Sequence, residues 1–399
     1  MTACSDMSGL CRGPAPVPAS APVPCNLLLV SASGPWTKAV QEAAAEIGGG
    51  VSSCGARDAV VRLSCIAPRY SHLLLHPESA DGLLHELVGL TAGDRDSSTE
   101  LLLLGTAEPA PRVGVIRSAD RDLVRQALAP TQAPVPAPDD NPVHLTELRA
   151  ALAGAMIETR YQPIVRLSDR QPVALEALAR LNHPTRGTLP PHTFVPQIEE
   201  AGLAAYLTDV VSERALADMA GPVLPNELGL ALNFPLDVLL APEALHRLAA
   251  RRRAAGVAAD RIVIELTESR PVTDLAALGR VLEGLRAEGY RISIDDVAPT
   301  VPRVAELLDL PFTGLKLDKT VVQRVAREPA LRDFVRRTID VARARNMTVV
   351  AEGVEDVATW RSMVAVGAGY AQGFLVARPL PAAAVPIWLE AWRDQPEFG

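Results

Sequence analysis

Cysteine is confined to the first 65 residues of this 399-residue chain, at positions 4, 11, 25, 54 and 65. The five residues include no CxxC pair, and an odd number leaves at least one thiol without an internal partner. The pattern argues against both a disulfide-stapled secreted domain and a zinc knuckle. It predicts a cytoplasmic protein with reduced thiols.

Long hydrophobic runs are also absent. The most apolar stretches, such as LLLVSA and ELLLLGTA, are far shorter than the ~20 residues that a membrane helix needs. The first residues show no basic region followed by a long apolar stretch, so no signal peptide is expected. We therefore expect no membrane association.

Basic residues are fewer than acidic ones. The chain has 47 acidic and 39 basic residues and a formal net charge of −8. This balance disfavours non-specific binding to nucleic acid polymers, but it is compatible with a small anionic ligand held by metal ions. With 48% hydrophobic residues, the chain can bury the cores of two domains.

Two segments rich in proline divide the chain. Residues 1–24 contain GPAPVPASAPVP, and residues 129–144 contain APTQAPVPAPDDNP. Such compositions favour extended, polyproline-like chain over packed structure. We expect a disordered arm over 1–24 and a semi-rigid linker over 129–144, which separates domains over 25–128 and 145–395.

The first domain alternates apolar runs with amphipathic stretches. NLLLVSA precedes WTKAVQEAAAEIGG, YSHLLLH precedes ADGLLHELVGL, and TELLLLGTA precedes RVGVIRSADRDLVRQAL. Continuous apolar strands that alternate with helices predict a doubly wound α/β domain with a parallel sheet covered on both faces. Its order and size resemble the receiver domain of response regulators.

The resemblance does not extend to the phosphorylation site of a receiver. Receivers carry an acidic pair after the first strand, an aspartate after the third and a lysine after the fifth. This chain has Ser31 and Ala32, then His76, then Arg117, and only Thr106 after the fourth strand fits the pattern. We expect no phosphorylation, and a role in docking a protein partner or in dimerisation.

The second domain repeats strand and helix patterns after the helical LTELRAALAGAMI. The strand candidates are YQPIVRL, PVALEALAR, LGLALNF, RIVIELTE, YRISIDD, GLKLD, MTVVAEG and AQGFLVA. Eight strands with mostly helical connections over about 250 residues are typical of a (β/α)8 TIM-like barrel. A doubly wound open sheet is the alternative that the pattern leaves open.

Polar residues that end these strands would gather at one mouth of such a barrel. They are Glu176, Asn233, Glu265, Glu268, Asp295, Asp296, Lys316, Glu352 and Gln372. Serine, cysteine and histidine are missing from this set, so nucleophilic acyl chemistry is not indicated. Carboxylate and amide oxygens suit Mg²⁺ or Mn²⁺, and two such ions would suit hydrolysis of a phosphodiester. Taken one at a time, each residue is at least as well explained as a surface or turn residue.

The motifs EALAR, NFP, ELTES, DD, KLD, AEGVE and QGF occur in the order found in EAL-domain cyclic-di-GMP phosphodiesterases. YQPIV and HPTRGTLPPHTFVPQIEEAGL also resemble that family, so the similarity spans essentially all of 145–390. The resemblance implies hydrolysis of cyclic di-GMP to linear pGpG with two Mg²⁺ or Mn²⁺ ions, and a homodimer.

The resemblance also implies a role for each matching residue. The metal ligands would be Glu176, Asn233, Glu265, Asp295 and Asp296, with Asp295 bridging two ions. Lys316 would be a water-activating base or an electrostatic partner, while Glu352 and Gln372 would position water. Arg180 and Asp318 would contact the substrate, Arg180 through a phosphate. Glu268 and Glu355 would support the site.

The sequence departs from the family directly after the acidic pair. The family usually has Phe-Gly-Thr/Ser-Gly there, whereas residues 297–303 read VAPTVPR. Prolines fix φ and remove amide donors where glycines would allow positive φ. We expect a stiffer loop of another shape. Slow or regulated hydrolysis is one consequence, and a catalytically inactive module that binds cyclic di-GMP is the alternative.

Overall fold

The computed structural model describes residues 26–31, 34–64, 70–91, 99–105, 113–128, 143–154, 156–267, 272–301 and 304–394. These residues form two separate sheets, each with its own helices. The arm over 1–24 and nearly all of the linker over 129–144 lie outside these ranges. No helix within them is both long and apolar enough to cross a bilayer.

The N-terminal unit, residues 26–128, is a five-stranded parallel sheet of order β2-β1-β3-β4-β5 with four helices. The strands are β1 Asn26–Val30, β2 Gly50–Ser53, β3 His72–Leu75, β4 Glu100–Leu104 and β5 Val113–Ile116. The helices are α1 Gly34–Glu46, α2 Ala56–Ser64, α3 Leu84–Leu90 and α4 Arg121–Leu128. The strand order is a doubly wound one, as the sequence predicts.

Both faces of this sheet are apolar, because the strands are apolar throughout and successive side chains point to opposite faces. Leu27 and Leu29 pack with α1 and α4, while Leu28 and Val30 pack with α2 and α3. Two elements were not predicted: β2, a four-residue strand with a single large apolar residue, and the helix α2 that follows it.

The C-terminal unit, residues 143–394, carries the second sheet. Its strands are β6 Ile157–Arg166, β7 Pro172–His183, β8 Gly187–Leu189, β9 Gly229–Pro235, β10 Ile262–Thr267, β11 Arg291–Val297, β12 Gly314–Leu317, β13 Thr348–Ala351 and β14 Tyr370–Ala371. Its helices are α5 Leu145–Ala153, α6 Val195–Glu200, α7 Ala204–Ala220, α8 Leu236–Leu239, α9 Pro242–Ala254, α10 Leu275–Ala287, α11 Val304–Leu308, α12 Lys319–Arg324, α13 Pro329–Ala344, α14 Val357–Val366 and α15 Val385–Asp394.

Eight of these strands close into a barrel, because β6 pairs with both β14 and β7. The closure confirms the barrel and excludes the open sheet. One detail differs from a regular (β/α)8 barrel, since β6 runs antiparallel to both neighbours. The five residues between β6 and β7 are too few for a crossover helix, so these strands form a hairpin.

The prediction of a last strand over AQGFLVA is wrong after Ala371. β14 ends there, and residues 373–380, named here the strap, leave the sheet as a turn followed by extended chain. The amides of Val376 and Ala377 both donate to the carbonyl of Gly373, at 3.0 Å. Gly373 has φ of +153°, a conformation that favours glycine.

We predict that Gly373→Ala destabilises the barrel strongly. A Cβ at this position would lie 2.3 Å from the backbone nitrogen of Val354 and 2.4 Å from its oxygen. Backbone atoms cannot yield as side chains do, so we expect a loss of about 3 kcal/mol or more in the free energy of unfolding. Urea denaturation followed by tryptophan fluorescence measures it. Gly284→Ala in α10 is the control, because nothing lies within 4 Å of its Cβ and alanine favours helix.

Candidate functional site

Seven of the predicted polar residues lie at one mouth of the barrel, where the parallel strands end. They are Glu176 in β7, Asn233 in β9, Glu265 in β10, Asp295 in β11, Lys316 in β12, Glu352 directly after β13 and Gln372 directly after β14. Parallel strands bring their carboxyl ends to the same edge, which is why residues far apart in sequence meet here.

Lys316 lies at the centre of this cluster and is 1% exposed. Its Nζ is 3.2 Å from Oε2 of Glu176, 3.1 Å from Oε2 of Glu265, 3.2 Å from Oδ1 of Asp295 and 2.6 Å from Oε1 of Glu352. A buried ammonium must be paired to be stable. Here four carboxylates surround it.

The surroundings shift the pKa of each of these groups. Burial alone would lower the pKa of Lys316, but Asp295, Glu176, Glu265 and Glu352 together raise it well above its ordinary value. Burial, opposed by Lys316 but reinforced by neighbouring carboxylates, raises the pKa of Glu265 and Glu352 far above that of a free glutamate. Burial likewise raises the pKa of Asp295. The cluster thus holds more negative groups than the lysine can neutralise.

Glu176 is the exception among these acids. Burial raises its pKa, but the charge of Lys316 and hydrogen bonds from Asn233, Gln372 and Lys316 outweigh burial and lower it. Asn233 Nδ2 donates to Oε1 of Glu176 at 2.9 Å, and Gln372 Nε2 donates to Oε2 at 2.6 Å. Glu176 is therefore held ionised and fixed in orientation by amides on both sides.

A β-bulge places Asp295 and Asp296 on the same side, although neighbouring strand residues normally face opposite ways. Three steps along β11, from Ile294 to Val297, match two steps along β12. Asp296 has φ of +54° and its amide donates to Oδ1 of Asp295 at 3.0 Å. Burial and the neighbouring Asp295 raise the pKa of Asp296 to about 6.

The acids form two triads with the spacing of a metal site. Glu176, Glu265 and Asp295 each offer an oxygen within 4.8 Å of the others, and so do Asp295, Asp296 and Glu352. Asp295 is common to both triads. Counted together, the five carboxylates and the Lys316 ammonium carry four formal negative charges, which two divalent cations would neutralise.

The side-chain oxygen of Gln372 also supports a metal ion, or water bound to it, beside the two acidic triads. Gln372 is 3% exposed, and its Oε1 has no hydrogen-bond partner among the described residues. A buried amide oxygen without a partner is costly, and oxygen of this kind is a suitable ligand for a hard cation or an acceptor for ordered water. The residues present therefore fit a divalent metal centre.

A cavity of about 380 Å³ opens beside the acids. Glu176, Asn233 and Asp295 form one wall, and the segment from Pro191 to Val211 contributes much of the opposite wall. Its lining is largely apolar away from the acids. The cavity can accept a ligand with a flat apolar part next to an anionic part.

Three other predicted residues, Arg180, Asp318 and Glu355, lie outside the Lys316 cluster. Arg180 is buried in β7, and its Nη1 donates to the carbonyl of Ala179 at 3.0 Å. Asp318 caps α12 by accepting from the amide of Thr320 at 2.9 Å, and its charge contributes to the raised pKa of Asp296. Glu355 is exposed. Glu268 lies outside the described residues.

Gln162 also belongs to the site, although the sequence did not predict it. Gln162 is 8% exposed in β6 and pairs with Glu176 across the hairpin. Its Oε1 accepts from Gln372 Nε2 at 3.0 Å, and its Nε2 donates to the carbonyl of Ala377 at 3.1 Å. Because β6 runs antiparallel to its neighbours, its middle, in the YQPIV segment, lies at the mouth where the other strands end, so the rule of carboxyl ends does not point to Gln162.

In the N-terminal unit, Ser31 follows β1, His76 follows β3 and Arg117 follows β5, as predicted. The His76 ring is half-buried with its centroid 6.4 Å from that of Trp36, and Arg117 is exposed. Ala32 and Thr106 lie outside the described residues.

Comparisons with known proteins single out the barrel. The profile of the EAL domain matches residues 145–379. The chain is 34% identical over 253 residues to the cyclic di-GMP phosphodiesterase NbdA of Pseudomonas aeruginosa, covering 62% of this chain and 32% of NbdA. It is 31% identical over 233 residues to the cyclic di-GMP phosphodiesterase PA2567 of the same bacterium, covering 58% and 39%. The chain thus spans about a third of the length of such curated relatives.

Among solved structures, the PaMucR phosphodiesterase in complex with c-di-GMP is similar with a TM-score of 0.56 and 28% identity. The similarity covers 60% of this chain and 98% of that one. Because the family profile covers more than half of the chain and its motifs meet at one mouth of a closed barrel, we conclude that this chain belongs to the EAL domain family.

Proposed function

We propose that this chain is an enzyme that hydrolyses cyclic di-GMP to linear pGpG with two divalent cations, Mg²⁺ or Mn²⁺. The observation that carries the proposal is the convergence of five carboxylates, four of them around Lys316, beside an open cavity. Similar proteins named cyclic di-GMP phosphodiesterases and a c-di-GMP complex of PaMucR support the choice of substrate.

Glu176, Asn233, Glu265 and Asp295 would hold one cation, and Asp295 and Asp296 the other. The cations would polarise the phosphoryl oxygens, make the attacking water more acidic and stabilise the leaving oxygen. Asp295 suits the bridging position because it belongs to both acidic triads. The bulge that turns Asp296 toward the same side gives the second position its own carboxylate.

The remaining residues of the cluster would orient water and substrate. Glu352, whose side chain is 18% exposed, would accept a proton of the attacking water. Gln372 offers its unpartnered Oε1 to the same water. Lys316 fixes the carboxylates through its four contacts and supplies positive charge close to the reacting phosphate.

Residues around the cluster would bind the nucleotide. Arg180 would pair with a phosphate, because its planar guanidinium can contact two oxygens at once. Asp318 would help to bind the substrate near Asp296. Glu268 and Glu355 would support the site and its loop.

The arrangement of the whole chain is part of the proposal: an arm over 1–24, a receiver-like domain over 25–128, a linker over 129–144 and the EAL domain over 145–395. The strand order 2-1-3-4-5 supports the receiver-like assignment. Ser31, His76 and Arg117 stand where receiver phosphorylation needs acids and a lysine. We propose a cytoplasmic homodimer in which this domain docks a protein partner without being phosphorylated.

We predict that Glu176→Gln lowers kcat for hydrolysis of cyclic di-GMP by about a hundredfold to a thousandfold, the range seen when one charge-stabilising group is removed. The variant keeps the shape of the side chain but loses the charge that holds a cation. Chromatography of pGpG formed with Mn²⁺ measures the rate. Glu283→Gln on the exposed face of α10 should keep the rate of the wild type.

Two results would contradict this proposal. Full activity of Glu176→Gln would remove that residue from the metal site. Calorimetric binding of cyclic di-GMP by the wild type without turnover under any divalent metal would instead identify an inactive binding module, which the altered loop after Asp296 motivates.

We also predict that Lys316→Met destabilises the metal-free protein by about 3–5 kcal/mol, because buried carboxylates lose their partner. Mn²⁺ at a hundredfold excess over its Kd should stabilise the wild type by about 2.7 kcal/mol for each ion bound, and the variant by at least as much. Thermal unfolding with chelator and with Mn²⁺ measures both effects. Lys319→Met, three residues along and exposed, is the control. Equal stability of the two metal-free variants would disprove the buried charge network.

A further inference from the structure

The N-terminal unit packs directly on the barrel through α2. This helix contacts α15, and apolar residues of both, such as Val60 and Trp388, belong to one continuous hydrophobic core. Nη2 of Arg57 on α2 lies 2.9 Å from Oε2 of Glu390 on α15. The two units are therefore joined by an interface as well as by the linker.

The same interface contacts the strap. At the end of α2, the carbonyl of Ser64 accepts a hydrogen bond from the amide of Arg378 at 2.8 Å. From the other side, Nε1 of Trp388 on α15 donates to the carbonyl of Val376 at 3.1 Å. The middle of the strap is thus held between the N-terminal unit and the helix on which that unit rests.

The strap in turn holds the site. It begins directly after Gln372, and its Ala377 carbonyl accepts from Gln162, the residue that accepts from Gln372. Its far end is tied to β6 by paired backbone bonds between Tyr161 and Leu380, at 2.7 and 2.8 Å. Backbone bonds hold the main chain of Gln372, from its amide to the carbonyl of Ala351 at 2.9 Å and from the amide of Val354 to its carbonyl at 3.0 Å. The strap therefore acts on the Gln372 side chain, through Gln162.

We propose that docking of the N-terminal unit on α15 positions Gln372 through the strap, and thereby sets the turnover rate of the barrel. Ser64 and Arg378 are positioning residues in this scheme, since neither touches the reacting atoms. A change in the N-terminal unit that loosens α2 would reach Gln372 over a chain of three hydrogen bonds: Ser64 with Arg378, Gln162 with Ala377, and Gln162 with Gln372. The effect on turnover rests on the proposed hydrolysis, whereas the structural coupling does not.

Hydrogen exchange of the full-length chain tests the coupling without any nucleotide. Arg57→Glu places two acids face to face and should speed exchange of the 373–380 amides about two- to fivefold, the range expected for an exposed ion pair. The charge-swapped double variant Arg57→Glu/Glu390→Arg should restore the exchange of the wild type. Amides of β10 should not change in either variant.

Arg393→Glu is the matched control, because Arg393 on the same helix forms an equally exposed pair with Glu227 inside the barrel unit. It should leave exchange in 373–380 unchanged. Unchanged exchange in Arg57→Glu, or an equal increase in Arg393→Glu, would overturn the coupling.

Turnover is tested by a pair of variants at Arg378. Arg378→Pro removes the amide that donates to Ser64, while Arg378→Ala keeps it and removes only the side chain. If the strap positions Gln372, a folded Arg378→Pro should lose about tenfold or more in kcat relative to Arg378→Ala with KM unchanged. Equal kcat of the two variants would overturn the control of turnover by the strap. Should Arg378→Pro fail to fold, the hydrogen-exchange result for Arg57→Glu decides whether the N-terminal unit and the strap are coupled. A wild type without hydrolysis would refute the proposed function but leave the exchange result valid.

Discussion

The site depends on one buried charge. The Lys316 ammonium lies within 3.2 Å of four carboxylates that come from four different strands or strand ends. Burying any of these groups alone would cost far more than the fold can supply, so each is stable only while the others are present. The network therefore ties barrel closure to the chemistry of the mouth. It also leaves an excess of negative charge, which makes the same place a site for cations.

The acidic mouth of this barrel is built where regular strand geometry fails. The bulge at Asp296 gives two adjacent acids the same orientation, and the left-handed φ of this residue is one that aspartate tolerates. The early end of β14 releases the strap, whose turn needs Gly373. Regular strands would have sent Asp296 outward and carried Gln372 deeper into the barrel wall.

Much of this was predictable, and the failures have physical causes. The doubly wound N-terminal sheet, the eight-stranded barrel and the position of Lys316 among acids follow from apolar periodicity and from the rule that strand ends meet at one mouth. β2 was missed because four residues with little apolar content give no periodic signal. Gln162 was missed because β6 runs antiparallel to its neighbours, so its middle rather than its carboxyl end lies at the mouth. The short connection to β7 is a local signal of this direction, whereas the pairing with β14 exists only once the barrel closes.

Apolar periodicity and strand-end acids are local properties of the chain, so the residue types available to the site and their order can be taken from the sequence. Only the folded chain brings Lys316 into contact with four acids at once, makes Gln162 part of the site and places α2 against the strap. Such contacts depend on distances between segments as far apart as Ser64 and Arg378. Those distances exist only after the two sheets have packed, since no local pattern encodes which buried surfaces will meet.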